Sequence, residues 1–359
     1  MALDFGRASG ARRIATSAAY GGGGLVGMGA AAAGVLVAEG LMAKRAIGLR
    51  KEAAPYADGY YGPKRRGTSL RFVMLGDSTA AGLGASSALE TPGALISQGI
   101  VEAADRPVRY VNMATVGARS TDFASQVTRA LIIRPHVVLV MIGANDVTHL
   151  VRPQTAVRHL AEGVSRLVEA GVQVVVGTCP DIGTIKPIRQ PLRLVARRLS
   201  RQLAAAQTIA VVEAGGRTVS FGDLLGPEFD AHPEHMFALD RFHPSSIGYA
   251  AVAQAMMPSV LAAMGLVDPN ERLPDPALGD VLMPVAQAAI SAADTVGTEV
   301  VATKKQGDQR GPRGRWVQIR HRITHPLPKP EQPAPLSADI PGAEGPTPPP
   351  GSVLVLVRS

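Results

Sequence analysis

Between residues 70 and 265, short runs rich in Val and Ile alternate with segments of helical apolar spacing. The runs are nearly continuous in hydrophobicity, which is typical of strands covered on both faces. The predicted strands are Arg71–Leu75, Val108–Met113, His136–Ile142, Val172–Gly177 and Thr208–Glu213. The predicted helices are Pro92–Ala104, Pro153–Ala170, Pro191–Ala206 and Pro244–Met264. This βα alternation predicts an α/β fold in three layers, doubly wound around about five parallel strands.

In a sheet of this kind, chemistry gathers at the carboxyl ends of the strands. Four blocks follow strands along the chain: Gly76-Asp77-Ser78-Thr79, Ala114-Thr115-Val116-Gly117, Gly143-Ala144-Asn145-Asp146 and, after a longer loop, Asp240-Arg241-Phe242-His243. One Ser, one Gly, one Asn and an Asp/His pair are therefore expected at one edge of the sheet.

These residue types suit nucleophilic catalysis. The hydroxyl of Ser78 is a poor nucleophile unless a base takes its proton, and His243 supplies a base suited to neutral pH. Asp240 lies three residues earlier in a predicted turn, so its carboxylate can reach the imidazole and fix its tautomer. Asp77 and Asp146 are interpreted as structural carboxylates that accept hydrogen bonds from loop N–H groups.

The four blocks, in this order and spacing, resemble those of the SGNH (GDSL-type) hydrolase superfamily over residues 70–265. Phe72–Thr79 is similar to its strand-then-GDS block, with Thr79 where the family name has Leu. The resemblance implies the flavodoxin-like SGNH hydrolase fold and a serine hydrolase of the esterase/lipase type. It implies a catalytic triad of Ser78, Asp240 and His243, and an acyl-enzyme. It assigns the oxyanion hole to the backbone N–H groups of Ser78 and Gly117 and the side-chain amide of Asn145.

Metal and cofactor chemistry have little support in the sequence. A single cysteine, Cys179, excludes an intrachain disulfide framework and a multi-cysteine metal site, and a buried small apolar role is expected for it. His232 and His235 are three residues apart, but no third ligand stands at a suitable spacing, so a surface loop is the preferred interpretation. We therefore predict no metal and no cofactor.

The basic charge of the chain is concentrated at its ends. Residues 1–66 hold ten Lys/Arg against four Asp/Glu, and residues 303–359 hold nine against four. Residues 67–302 hold 18 against 21, a net charge of −3. A nucleic-acid-binding domain would carry its positive charge on the folded part. The predicted partner is therefore a small-molecule or lipid ester, not a nucleic acid.

Residues 1–66 are predicted to be an apolar run followed by a basic linker. The run from Ile14 to Ala38 is 25 residues without a charge, long enough to cross a bilayer. Three interpretations are open: an uncleaved anchor, a secretory signal cleaved near Ala38-Glu39-Gly40, or a small-residue helix packed on the protein. The first two predict a membrane-anchored protein or one exported to the cell envelope, and the third leaves a cytoplasmic location. Residues 52–69 are interpreted as linker.

The hydrolase domain is predicted over 67–266, followed by a helical extension over 267–302. Residues 303–359 are predicted to be a basic, Pro-rich disordered tail, because residues 326–350 contain ten prolines and no aromatic residue.

The substrate is left open by the sequence. Short block loops and no inserted lid helix favour short or soluble esters, whereas an apolar N-terminus favours lipid or envelope substrates. Two alternatives share the fold: an envelope acyltransferase, in which an alcohol replaces water, and a carbohydrate O-deacetylase. A non-catalytic membrane-tethered module is a third alternative.

Overall fold

The computed structural model describes residues 38–40, 42, 53–266, 298–302, 314–318 and 331–336. Nearly all of the predicted apolar run, and most of the predicted C-terminal extension and tail, lie outside the described residues.

A sheet of five parallel strands forms the centre of the domain. The strands of the described chain are β1 (Gly59–Tyr61), β2 (Leu70–Gly76), β3 (Val108–Asn112), β4 (Val137–Met141), β5 (Gln173–Gly177), β6 (Arg217–Val219), β7 (Thr298–Ala302) and β8 (Gly314–Gln318). Their order is β1-β3-β2-β4-β5-β6-β7-β8, in which the block from β3 to β6 is parallel and the pairs β1·β3, β6·β7 and β7·β8 are antiparallel. The doubly wound α/β fold with five parallel strands is thus confirmed.

Helices connect the strands and cover both faces of the sheet. Those described are α1 (Ser78–Ala81), α2 (Pro92–Ala104), α3 (Phe123–Ile133), α4 (Ala144–Thr148), α5 (Pro153–Glu169), α6 (Leu192–Glu213), α7 (Phe221–Leu224), α8 (Gly226–Ala231), α9 (Pro233–Met236) and α10 (Ser246–Ala263). Pro92 and Pro153 each occupy the first helical position, where the missing N–H costs nothing.

Two apolar clusters hold the layers together, one on each face of the sheet. Phe72 and Met74 of β2 join one cluster with α2 and α10, and Val73 and Leu75 join the other with α3 and α5. Successive side chains of a strand point to opposite faces, so a continuous apolar run supplies both clusters at once.

One predicted strand is wrong. Thr208–Glu213 is the last part of helix α6, and the fifth parallel strand is Arg217–Val219. A short β-branched apolar run has the same sequence signal in a buried helix as in a strand. Val211 and Val212 are buried by packing of this helix end against the domain, and that tertiary contact outweighs the modest helix penalty of β-branched side chains.

The predicted linker over 52–69 also contains structure. Residues 59–61 form β1, which pairs with β3 and buries Tyr61 between the sheet and α2. On its other side, Tyr60 exchanges two backbone hydrogen bonds with Ala334, at 2.7 and 2.8 Å. Part of the predicted Pro-rich tail therefore covers this sheet edge, and β7 and β8 extend the opposite edge where a helical extension and a disordered tail were predicted.

In the described part of the chain, α10 is the helix long and apolar enough to span a membrane by length and composition. Met256 and Val260 of this helix are buried in the core of the domain. Its apolar character is therefore accounted for by packing against the sheet.

Candidate active site

A tight turn places Ser78 at the carboxyl end of β2. Gly76 has a φ of 136°, and a Cβ there would lie 1.9 Å from the carbonyl oxygen of Met141, so no other residue fits. The side-chain amide of Gln126 accepts from the Gly76 N–H at 2.7 Å and donates to its carbonyl at 2.9 Å. Asp77 then caps α1 by accepting from the N–H of Thr79 at 2.9 Å. Ser78 is the first residue of that helix.

A second turn carries Asp240 and His243. The carbonyl of His243 accepts from the N–H of Ala238 at 2.8 Å, which closes the turn. Asp240 Oδ1 accepts from the N–H groups of Phe242 and His243, both at 3.0 Å. The aspartate therefore organises the backbone of the turn as well as the side chain that ends it.

The two turns bring the three predicted triad residues together. His243 Nε2 lies 3.0 Å from Ser78 Oγ, and His243 Nδ1 lies 2.8 Å from Asp240 Oδ2. These are hydrogen-bond distances. Ser78 and Asp240 are buried, and the His243 side chain is 14% exposed. The arrangement allows one proton to pass from the serine to the imidazole while the aspartate holds the ring.

Contacts between the two turns fix the relative position of serine and histidine. The hydroxyl of Tyr249 in α10 donates to the carbonyl of Leu83, just after α1, at 2.7 Å. Gly84 packs so closely that a Cβ there would lie 2.4 Å from the Pro244 carbonyl and 3.1 Å from the His243 Cβ. The segment after Ser78 is thus locked against the segment after His243.

The predicted oxyanion donors differ in their surroundings. The amide of Asn145, in the first turn of α4, donates one hydrogen to the carbonyl of Ala118 at 3.1 Å, which leaves its second hydrogen for another acceptor. Gly117 is exposed in the turn after β3, with a φ of 82° and open space where a Cβ would be. Within the described residues, the N–H groups of Ser78 and Gly117 meet no acceptor.

The three buried carboxylates near the site are held in different ways. Burial acts to raise the pKa of Asp240, but the hydrogen bonds from the His243 side chain and from two backbone N–H groups outweigh it and hold the pKa below its usual value. Burial raises the pKa of Asp77 to about 6. Burial likewise raises the pKa of Asp146, against the lowering effect of hydrogen bonds from Ser120. Asp77 and Asp146 act as acceptors for loop groups, as the sequence predicted.

Gln207 is a structural residue that the sequence reasoning missed. Its fully buried amide accepts from the Cys179 N–H at 2.7 Å and donates to the Ile142 carbonyl at 2.9 Å, joining the segments that follow β4 and β5. Gln126 makes the equivalent clamp at Gly76. No spacing in the sequence marks either residue, because each partner is a backbone group distant along the chain. Cys179 itself is buried, as expected for it.

His232 and His235 lie on the surface, as predicted, but at a short helix and not in a loop. Both are exposed at the ends of the short helix α9, and the His235 ring lies 3.7 Å from a Glu234 oxygen. In the part of the chain that is described, no group of three or more His, Cys, Asp or Glu side chains is arranged to hold a metal ion.

A largely apolar cavity of about 80 Å³ opens beside Ser78 and His243. Asn145 lies on its wall, whereas Gly117 is outside the lining. Most of the remaining wall is apolar and comes from the segments after β4, β5 and β6 and from α10. These apolar residues include Met141, Ile142, Ile182, Ile185, Phe221, Leu225, Phe229, Phe237, Phe242 and Val252.

Two solved structures to which the chain is similar are enzymes. The chain is 21% identical to the acetylxylan esterase Axe2 from Geobacillus stearothermophilus, with a TM-score of 0.44, and the match covers 57% of this chain and 99% of that one. It is also 21% identical to LAE5, an alpha/beta hydrolase enzyme from the metagenome of Lake Arreo, with a TM-score of 0.44 over 56% of this chain and 98% of that one.

Sequence comparison is more specific. The model of the GDSL-like Lipase/Acylhydrolase family matches residues 74–251. The GDSL-like esterase Rv1075c of Mycobacterium tuberculosis is 42% identical over 233 residues, which cover 62% of this chain and 74% of that protein. The chain belongs to the GDSL-like lipase/acylhydrolase family. The resemblance stated from the four blocks is therefore confirmed, and it supports a hydrolase that acts on esters.

Within this GDSL-like domain, the matched range contains all four blocks. It starts at Met74, two residues before the Gly76 turn, and ends at Ala251, eight residues beyond His243. β1, β7 and β8 and the contact at Ala334 lie outside it. The family range thus covers most of the parallel sheet and its site, and the antiparallel edges lie outside it.

Proposed function

We propose that this protein is a serine esterase that works through a Ser78–His243–Asp240 triad and a covalent acyl-enzyme. The observation that carries the proposal is the pair of hydrogen bonds on the two sides of the imidazole, 3.0 Å from Ser78 Oγ to His243 Nε2 and 2.8 Å from His243 Nδ1 to Asp240 Oδ2. The nucleophile, the base and the orienting carboxylate lie next to one another in the spatial order that proton transfer requires.

In the acylation step, Ser78 Oγ attacks the ester carbonyl carbon as its proton moves to His243 Nε2. The tetrahedral intermediate collapses when the imidazolium returns that proton to the leaving alcohol, which leaves the acyl group on the serine. Water then repeats the sequence, with His243 as its base, and releases the carboxylic acid. Asp240 stays ionised throughout, because its hydrogen bonds hold its pKa below the usual value.

Three donors are proposed for the oxyanion: the N–H groups of Ser78 and Gly117 and the side-chain amide of Asn145. The first two have no competing acceptor in the described structure. The bond from Asn145 to the Ala118 carbonyl holds the amide in place and leaves one hydrogen to donate. Donors fixed before the reaction stabilise the developing charge without a reorganisation cost.

The cavity beside Ser78 favours esters with an apolar acyl group. Apolar side chains, isoleucine, leucine and phenylalanine among them, form most of its wall, and they gain from burying hydrocarbon but cannot satisfy sugar hydroxyl groups. We infer that the cavity takes the aliphatic acyl portion of the ester, and that a carbohydrate alcohol portion does not enter it.

A labelling experiment tests the triad. A fluorophosphonate probe should label the wild type at Ser78, and Ser78→Ala should lose both the label and the hydrolysis of p-nitrophenyl esters. Peptide mapping identifies the labelled residue. A label found on a different serine, with activity retained in Ser78→Ala, would overturn the assignment.

An acyl-length series tests the cavity. Ile185 lines the cavity, whereas Ile188 is buried in the same segment but lies outside the lining. Ile185→Ala should move the best kcat/KM toward longer p-nitrophenyl esters, and Ile188→Ala should leave the order of substrates unchanged. An identical order in both variants and the wild type would show that the acyl group lies elsewhere.

A further inference from the structure

The start of helix α6 and the segment before it carry a concentration of positive charge that the rest of the domain lacks. Lys186, Arg189, Arg193, Arg197, Arg198 and Arg201 lie between residues 186 and 201, a third of the 18 basic residues in the net acidic stretch 67–302. No Asp or Glu falls within residues 182–201. Such clustering on one helix end is not the mixed-sign pattern of an ordinary solvated surface.

Half of these cations are used by the fold. Arg197 and Arg201 lie 3.2 and 3.5 Å from the buried carboxylate of Asp181, and Lys186 lies 2.6 Å from Asp230. Within the described residues, Arg189, Arg193 and Arg198 make no ion pair. Arg193 lines a cleft with Asp230 and helps to lower the pKa of that carboxyl, so the charges of Arg189 and Arg198 are the ones most available to a partner.

Two apolar side chains stand among the free cations. Leu194 is 64% exposed and Val195 is 38% exposed, on the first two turns of α6. Arg198 follows Leu194 by four residues and so lies beside it on the same face. We call Arg189, Arg193, Leu194, Val195 and Arg198 the α6 patch. It combines exposed hydrocarbon with unpaired arginines, which is the composition of a surface helix that binds at a lipid interface.

The long uncharged run of the N-terminus meets the domain at this place. The run from Ile14 to Ala38 ends directly before Glu39. Glu39 is buried, and its carboxylate accepts from the N–H of Leu192, the first residue of α6, at 2.8 Å. The end of the apolar run is thus fixed within two residues of Leu194 along the helix.

We propose that the α6 patch is a docking surface for a membrane that carries anionic lipids. The guanidinium groups of Arg189, Arg193 and Arg198 pair with phosphate head groups, and Leu194 and Val195 enter the boundary with the acyl chains. The apolar run from Ile14 to Ala38 ends beside the start of α6, and in the anchor interpretation this places the bilayer on the α6 side of the domain. Neither the arginines nor the leucine takes part in the proposed hydrolysis, so the docking does not depend on it.

The patch also adjoins the candidate active site. Ile182 and Ile185 line the cavity beside Ser78, and Gly183 and Lys186, from the same segment, line a polar cleft with Arg193 and Leu194. Docking through α6 would therefore bring the cavity wall close to the lipid surface.

Vesicle sedimentation with the full chain tests the proposal. Partitioning is measured on vesicles of phosphatidylcholine alone and on vesicles of equal parts phosphatidylcholine and phosphatidylglycerol. The ratio of the two partition coefficients isolates the charge contribution, because insertion of an apolar run does not require anionic lipid. The variant Arg189→Glu/Arg198→Glu should lower that ratio at least about tenfold. The matched control Arg152→Glu/Arg158→Glu makes the same charge change on exposed residues of and before α5, and should keep the ratio.

A second pair of variants tests the apolar part. Leu194→Asn should weaken partitioning to both kinds of vesicle, whereas Ile132→Asn, at an isoleucine of α3 that is 73% exposed, should not. Ser78→Ala should bind vesicles as the wild type does, which separates docking from catalysis. Equal partitioning of the wild type to neutral and anionic vesicles would overturn the proposal, as would equal loss in the two double arginine variants. Either result would mean that the arginines serve a different partner, such as an acidic protein surface.

Discussion

Replacing Asn145 with alanine separates an oxyanion donor from a turn residue. The substitution removes both hydrogens of the amide: the one given to the Ala118 carbonyl at 3.1 Å and the one left for the substrate. The first loss affects folding and the second affects the transition state. The two effects have different magnitudes and are measured in different experiments.

The stability cost follows from the single observed hydrogen bond. Asn145 is only partly buried, so water can replace the lost donor at the Ala118 carbonyl, and the unfolding free energy should fall by about 1 kcal/mol. If the free hydrogen stabilises the oxyanion, kcat should fall about 10²–10³-fold, which corresponds to about 2.7–4 kcal/mol. KM should change little, because the ground-state carbonyl carries less charge than the intermediate.

The assay combines p-nitrophenyl ester kinetics with urea unfolding and fluorophosphonate labelling to count competent sites. Asn112→Ala is the control, because Asn112 also donates from its amide to a backbone carbonyl, that of Ala80, at 2.8 Å, and its amide oxygen accepts from the Ala114 N–H at 2.9 Å. It should lose at least as much stability as Asn145→Ala and keep kcat within about tenfold of the wild type. The reasoning fails if Asn145→Ala loses several kcal/mol of stability while the folded fraction turns over normally. The oxyanion would then rest on the Ser78 and Gly117 amides.

Three further predictions concern the fold around the site. A chain beginning at residue 67 should have an unfolding free energy at least about 3 kcal/mol lower than one beginning at residue 53, because it lacks β1 and the buried Tyr61 ring. Equal urea midpoints for the two chains would contradict this. Gln207→Leu should cost about 2–6 kcal/mol and reduce turnover, since it leaves two buried backbone groups unpaired; a loss below 1 kcal/mol would refute the clamp. Asp77→Asn should gain stability relative to the wild type as pH rises from about 4 through about 6, by at most about 3 kcal/mol. The reason is that Asp77 keeps its proton up to a pH of about 6 in the folded protein, whereas the unfolded chain loses it near its ordinary pKa of 3.8. A difference in urea midpoints that does not change with pH would contradict this prediction.

The sequence is sufficient for four of the five parallel strands and for the four blocks that supply the candidate site. Strands buried on both faces leave continuous apolar runs, and the residue after each run is at the carboxyl edge by topology alone. Asp240 and His243 are three residues apart, so a single turn joins them. Ser78 and His243 are 165 positions apart, and only the order of the strands indicates that they meet.

The antiparallel edges and the last parallel strand could not be predicted in this way. β1 is three residues long among glycines and prolines, and its stability comes from pairing with β3 on one side and with Ala334 on the other. The run Thr208–Glu213 is apolar and β-branched, yet it continues helix α6 for its final turns. In both cases contacts with residues distant along the chain determine the secondary structure, and the local sequence pattern does not show those contacts.

The choice among three aspartates near the site shows what the structure adds to the motifs. Asp77, Asp146 and Asp240 are all buried, and each stands in one of the matching blocks. Burial alone would raise every pKa, and it does so at Asp77 and Asp146, where it exceeds the effect of the hydrogen bonds they accept. At Asp240 the hydrogen bonds from His243 and two backbone N–H groups exceed the burial penalty, so this carboxylate is held as the anion. An imidazolium formed during acylation needs an anion at its Nδ1, and the turn that supplies those N–H groups also sets the 2.8 Å contact to the ring. The same local geometry therefore lowers the pKa of Asp240 and aims it at His243. Asp77 and Asp146 accept from Thr79 and Ser120 instead, and this difference in contact is why we assign the orienting role to Asp240.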